Sequence, residues 1–167
     1  MGGNYYFQPD LPVSRDEFVA LAMHTVGLEA MEGVARTGFA DDESIPTWAK
    51  GYVSSALKSG VVQGTGSSSG AVFDPQRTIT RAEASVLLDR MLQITDTTAT
   101  TMFADSDVAP VWAYQSAVNL ETVGVLETTP EGALALSDTL TRADAAEMLC
   151  GALEVLDARG GDGWLPW

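Results

Sequence analysis

Three short segments each place an arginine between a hydroxyl residue and an acid: Ser14-Arg15-Asp16-Glu17, Thr80-Arg81-Ala82-Glu83 and Thr141-Arg142-Ala143-Asp144. A guanidinium is a planar fork of donors that matches a carboxylate, and the same local setting recurs around all three arginines. The setting is itself a helix-start signal. A hydroxyl at the N-cap accepts from the N3 backbone while the acid at N3 reaches back, forming a capping box. An arginine just inside that start stands beside the open N–H groups and positive end of the helix, where an anion meets both. Capping accounts for Ser14, Thr80, Thr141, Glu17, Glu83 and Asp144 without any ligand. For the arginines the structural alternative is an ion pair with an acid such as Asp41 or Asp105.

The wider composition makes these arginines informative. Nine lysines and arginines stand against 23 acids, a formal net charge of -14 in 167 residues, which argues against a partner held through its phosphates and so against nucleic acid. With 46% hydrophobic and 19% charged residues the chain is apolar enough to fold throughout. The single cysteine, Cys150, forms no internal disulfide, and no Cys/His cluster has metal-ligand spacing. No apolar run approaches the roughly 20 residues that cross a bilayer, and the start MGGNYY lacks the features of a signal peptide. Membrane insertion and a bound cofactor are not expected.

The elements that position the arginines recur along the chain. Residues 39–64, FADDESIPTWAKGYVSSALKSGVVQG, align without a gap with FADSDVAPVWAYQSAVNLETVGVLE from Phe103, pairing Trp48 with Trp112 and Gly60 with Gly124. The second half, FDPQRTITRAEASVLLDRML, recurs as LALSDTLTRADAAEML, and an N-terminal version, FQPDLPVSRDEFVALAM, is centred on Arg15. The chain thus divides into the back half of a first repeat (1–31), a second repeat (39–95), a third, degenerate repeat (102–158) and a tail (159–167).

Each full repeat reads as helix, loop, helix. Pro46 and Pro110 suit an opening turn, and Gly60 and Gly124 a left-handed end. Segments 61–63 and 71–73 are expected as short strands around a Gly64–Gly70 turn. Apolar faces are expected at Phe18, Leu21, Ala22 and Val26, at Ala84, Leu87, Leu88 and Leu92, and at Ala145, Met148, Leu149 and Leu153. GVARTG at 33–38 and ITDTTATT at 94–101 read as connectors. The fold class is mainly α: tandem repeats in a pseudo-threefold arrangement with short β segments in the loops.

The combination of F-A-D, a Trp-Ala helix opening, G-V-V or G-V-L, F-x-P and [ST]-R-[AD]-[ED] resembles the S-layer homology domain over nearly the whole chain. The resemblance implies a non-catalytic module at the bacterial cell surface or wall. Its partner would be a secondary cell-wall polymer, often pyruvylated, or modified peptidoglycan, held in grooves between repeats. It also implies that Arg15, Arg81 and Arg142 contact the polymer's acidic groups, with Glu17 and Glu83 beside them. Trp48 and Trp112 suit either stacking on sugar rings or core packing. Gly64 and Gly66 suit close approach of a sugar or an ordinary turn, and His24 reads as structural or solvated.

The repeats are not equivalent. The third has Leu134 and Leu136 for Phe73 and Pro75 and Thr128 for Gly64, and the first places Asp16 next to Arg15, so Arg81 is the strongest single site by sequence. The first repeat lacks an opening helix, which leaves a groove for a second molecule, hence self-association, or for the tail from Gly160 to Trp167. A protein-assembly module without glycan binding is the alternative function. Calcium at FADDES or FADSD lacks the spacing of a calcium loop. An enzyme is disfavoured by one histidine and the absence of a recognisable catalytic motif.

Overall fold

The computed structural model describes residues 6–95, 97–98 and 102–160. Among these, α1 spans Arg15–Thr25, a 3-10 turn Asp42–Ser44, α2 Thr47–Lys58, β1 Thr65–Ser67, β2 Gly70–Val72, α3 Arg81–Leu92, α4 Val111–Thr122 and α5 Arg142–Ala158. Helix α2 packs on α1 and α4 on α3, while α1, α3 and α5 meet one another.

All three capping boxes form. Glu17, Glu83 and Asp144 accept from the backbone N–H of Ser14, Thr80 and Thr141 at 3.1, 3.2 and 2.9 Å. Each such cap is worth about 1 kcal/mol. Pro46 and Pro110 immediately precede α2 and α4, where no N–H is needed. Gly60 and Gly124 follow the same helices at φ 75° and 78°, which only glycine adopts without strain.

A ring of main-chain bonds closes the pseudo-threefold arrangement. Val13 donates to Leu140 (3.0 Å), Leu140 to Ile79 (2.9 Å) and Ile79 to Val13 (3.0 Å), so the three helix-start segments are tied head to tail. These three side chains are buried with Phe18, Phe73, Leu88, Leu92 and Leu134 in one apolar core. Burying a side chain of this size contributes about 1.5–3 kcal/mol.

The F-A-D motif has a structural use. Asp41 accepts from the N–H groups of Phe73 and Asp74 (2.9 and 2.7 Å), and Asp105 from those of Leu134 and Ala135 (2.8 Å each). The clamp holds the segments at Phe73 and Leu134 so that their middle residues, Asp74 and Ala135, sit at φ 58° and 51°, and Gln8 takes the same conformation at 53°.

Two expectations are corrected. The hairpin is β1 paired with β2, Thr65 opposite Val72, and not 61–63 with 71–73. Val61 and Val62 are buried instead, and the Val62 N–H bonds Ala56 at 3.0 Å to close the end of α2. Leu21 and Leu153, placed on core faces by periodicity, are 49% and 45% exposed, and Val19, Met23 and Ala152 take the buried positions. The covering of the open groove by the tail concerns Trp164 and Trp167, which lie outside the described residues.

Candidate functional site

Helices α1, α3 and α5 do not end in open anion sites. The N–H groups of Arg15, Arg81 and Arg142 donate to Arg77, Asp138 and Leu11, and those of Asp16, Ala82 and Ala143 to Pro75, Leu136 and Pro9. Carbonyls of the neighbouring repeat thus occupy the donors that sequence reasoning left for a ligand. Any anion has to be held by side chains.

The ion pairs considered for the arginines, with Asp41 or Asp105, do not form, because both acids are engaged by backbone N–H groups. Each guanidinium instead reaches the F-x-P segment of the adjoining repeat. Arg81 donates from Nε to the Leu134 carbonyl (3.0 Å) and from Nη2 to that of Glu127 (2.6 Å). Arg142 donates from Nε to the Phe7 carbonyl (2.8 Å), with its guanidinium 5.5 Å from the Phe7 ring centroid. Arg15 lies over the Phe73 ring at 5.2 Å, but its Nε is buried with no hydrogen-bond partner.

Arg15 is 9% exposed, and its ion pair with Glu83 is long at 3.4 Å. Burial pulls its pKa below the usual arginine value, only partly offset by the Glu83 charge. Glu83 is drawn the other way by Arg77, which bonds both its oxygens at 2.6 and 3.0 Å. Asp16 does not face Arg15: its carboxylate accepts from the Ser14 hydroxyl, the Glu17 N–H and the Gln76 amide.

Three clefts lie at the junctions between repeats. The cleft at Arg15, about 300 Å³, is lined by Val62, Gly64, Glu83, Arg90 and Trp112. That at Arg81, about 240 Å³, contains Glu127, Asp144, Glu147 and Glu154, four carboxylates around one arginine. That at Arg142, about 620 Å³, is walled by Phe7, Leu21, Trp48, Tyr52 and Leu149, with Glu17 and His24 at its polar side. The first has a local excess of positive charge, the second opposes any anion, and the third is mostly apolar.

The core-packing alternative for the tryptophans does not hold: Trp48 and Trp112 are 54% and 63% exposed, each lining a cleft. Gly64 is needed for packing, since a Cβ there would stand 2.6 Å from the Phe39 ring. His24 is exposed. Sequence reasoning missed Arg90 and Arg77. Arg90 donates to the Val61 carbonyl at 3.0 Å and stands where the other copies have His24 and Gly151. The scarcity of positive charge was the signal that would have found both.

A cyclic set of helical repeats meeting in clefts, each with an arginine at a helix start, defines a module built by repetition. Residues 38–85 match the family model of the S-layer homology domain, and this part of the chain is such a domain, a cell-surface anchoring module of bacteria. The chain is 33% identical over 95 residues to exoglucanase XynX of Acetivibrio thermocellus, covering 55% of this chain and 8% of that protein. It is 34% identical over 89 residues to an amylopullulanase of Thermoanaerobacterium thermosulfurigenes, covering 52% and 5%. With the surface-layer 125 kDa protein of Lysinibacillus sphaericus it shares 30% identity over 92 residues, covering 55% and 8%. The chain therefore spans less than a tenth of the length of these relatives.

Proposed function

We propose that the chain is a non-catalytic module that fastens a larger polypeptide to an acidic bacterial wall polysaccharide, and that the cleft at Arg15 holds the polymer's carboxylate. The observation that carries this is the buried Arg15 Nε without a partner. An unsatisfied buried donor on a charged group is costly, and a carboxylate, such as that of a pyruvylated sugar, satisfies the donor and the charge together. Arg90 adds a second cation, and the exposed Trp112 offers a face to a sugar ring. Arg81, first by sequence, is committed to two carbonyls among four acids, so its role here is to join repeats. Trp48, Glu17 and Arg142 line the apolar cleft and contact the polymer less directly.

The test is sedimentation with wall sacculi before and after acid extraction of the attached polymer, using the chain, Arg15→Ala and Arg81→Ala, each checked for folding by circular dichroism. Binding lost on extraction and in Arg15→Ala, and kept in folded Arg81→Ala, supports the proposal. Unchanged binding by Arg15→Ala defeats the assignment of the cleft. Failure to bind intact walls of several bacteria favours protein assembly without glycan.

A further inference from the structure

Each cleft joins the motif arginine of one helix to a fixed position near the end of the next helix in the ring. That position is Gly151 in the cleft at Arg81, His24 in the cleft at Arg142, and Arg90 in the cleft at Arg15. Among the described residues, therefore, it is the cleft at Arg15 that sets two guanidinium groups in one cavity, of about 300 Å³. The acid that lines it, Glu83, has both oxygens bonded by Arg77 at 2.6 and 3.0 Å and keeps a long 3.4 Å contact with Arg15. Arg90 is exposed, gives Nη1 to the Val61 carbonyl at 3.0 Å, and makes no salt bridge among the described residues.

The two cations stand at opposite ends of the cleft. Glu83, Val86, Leu87 and Arg90 line it at i, i+3, i+4 and i+7, so it follows one face of α3 for two turns, about 10 Å of rise. Arg15 meets the Glu83 end, and Arg90 closes the other. Helical side chains all lean toward the helix start, which preserves the offset between Glu83 and Arg90. The facing wall gives the same order. Val61 is bonded by Arg90, whereas Gly64 abuts the ring of Phe39, which packs on Phe73, the ring beneath Arg15. The three residue steps from Val61 to Gly64 reach at most about 10 Å. Between the ends Leu87 is buried and Val86 half-buried, an apolar floor for the body of a sugar ring and not for a charge. One ring with one acidic substituent answers one end and leaves the other empty. Building on the assignment of the polymer's carboxylate to Arg15, we infer that this cleft selects a glycan whose acidic groups stand on separate sugar residues. Arg15 takes one group through its buried Nε, and Arg90 takes another with the part of its fork that Val61 does not use.

The experiment releases the polymer from wall sacculi that bind the chain, fragments it, and sorts the fragments by anion exchange into those with one acidic group and those with two on separate residues. Each class is titrated calorimetrically against the full chain, Arg90→Gln, Arg90→Lys and Arg15→Ala. The chain should bind two-acid fragments about fivefold more tightly than one-acid fragments, the effect of one partly exposed ion pair. Arg90→Gln should erase that preference and leave one-acid binding unchanged, Arg90→Lys should keep most of it, and Arg15→Ala should weaken both classes. If Arg90 serves only to hold the end of α2 through Val61, Arg90→Gln weakens both classes alike, and the inference falls. Equal affinity for the two classes, a preference that survives Arg90→Gln, or a bound polymer that yields no two-acid fragment also overturns it. Arg15→Ala separates this failure from that of the cleft assignment. If Arg15→Ala weakens binding and Arg90→Gln changes nothing, the two-acid selection alone is lost; if Arg15→Ala binds as the chain does, or no wall binds, the cleft assignment and the selection fall together.

Discussion

Arg81 donates from Nε to the carbonyl of Leu134 at 3.0 Å, a bond that joins the second repeat to the third. Arg142 makes the equivalent bond to Phe7, closing the circle. Arg15, at the same position in the first repeat, has the ring of Phe73 beneath it but leaves its Nε unpartnered. One motif thus has two settings: in two copies the fork is satisfied by main-chain carbonyls, and in the first a buried donor is left without a partner, the observation on which the proposed carboxylate site rests.

That difference sets unequal outcomes for two alanine substitutions. Arg81→Ala removes two bonds from a charged donor, a loss of about 1.5–3 kcal/mol. Arg15→Ala removes one long contact and the packing on Phe73 but also an unsatisfied buried charge, and Arg77 remains to pair Glu83, so it should cost less stability than Arg81→Ala. Urea unfolding of both variants measures this. Equal destabilisation would mean that the two arginines are equivalent after all.

Periodicity and capping are local, and what they dictate was readable: the starts of α1, α3 and α5, the glycine ends of α2 and α4, and the closed cyclic arrangement implied by three copies of one motif. Legibility failed where a neighbour decides. Leu21 and Leu153 obey the helical period, yet exposure depends on whether a covering segment is present, which no window of sequence records. Val61 and Val62 have strand propensity, but ending α2 required them. The open N–H groups at the helix starts were lost to carbonyls far along the chain, such as Leu11 for Arg142. Arg15 and Arg81 share a motif, and only the placement of their Nε atoms separates them.

Acid should destabilise the fold in a defined window. The hydrogen bond from Lys50, then those from the Thr37 N–H and hydroxyl, hold the Asp42 carboxyl down at about 2. At Glu83 burial pushes the carboxyl up, but the Arg77 bond, the Thr80 N–H and the Arg15 charge together bring it below its usual value. Each carboxyl is thus held below its own unfolded value. The unfolded state therefore takes up protons first. The Asp42 contribution is complete above about pH 5 and is lost as pH falls towards about 2, and that of Glu83 is lost in the same direction. Melting temperature followed from pH 7 downwards should drop in this range, and Asp42→Asn should flatten the drop. An identical acid slope in that variant would remove Asp42 from the account.

Ala135 sits at φ 51°, where Gln8 and Asp74 sit in the other copies. A left-handed alanine costs about 1–2 kcal/mol, and glycine adds about 0.5–1 kcal/mol of chain entropy on folding. Ala135→Gly should therefore stabilise the chain by about 0.5–1 kcal/mol, read as a higher melting temperature. Destabilisation would show that the Ala135 methyl group contributes packing that outweighs the backbone strain.

Trp48 and Trp112 align in sequence but line different clefts, and the proposed carboxylate site concerns only one of them. Trp112 shares its cleft with Arg15 and Arg90, whereas Trp48 shares the apolar one with Leu21 and Leu149. Both are more than half exposed, so alanine at either position should leave the fold intact. An aromatic contact is worth about 0.5–1.5 kcal/mol, which corresponds to a loss of up to about tenfold in affinity. Trp112→Ala should lower binding to wall polymer by that factor, and Trp48→Ala should leave it unchanged. Loss of polymer binding from Trp48→Ala alone would move the glycan to the cleft at Arg142 and leave the Arg15 Nε without the ligand argued for it.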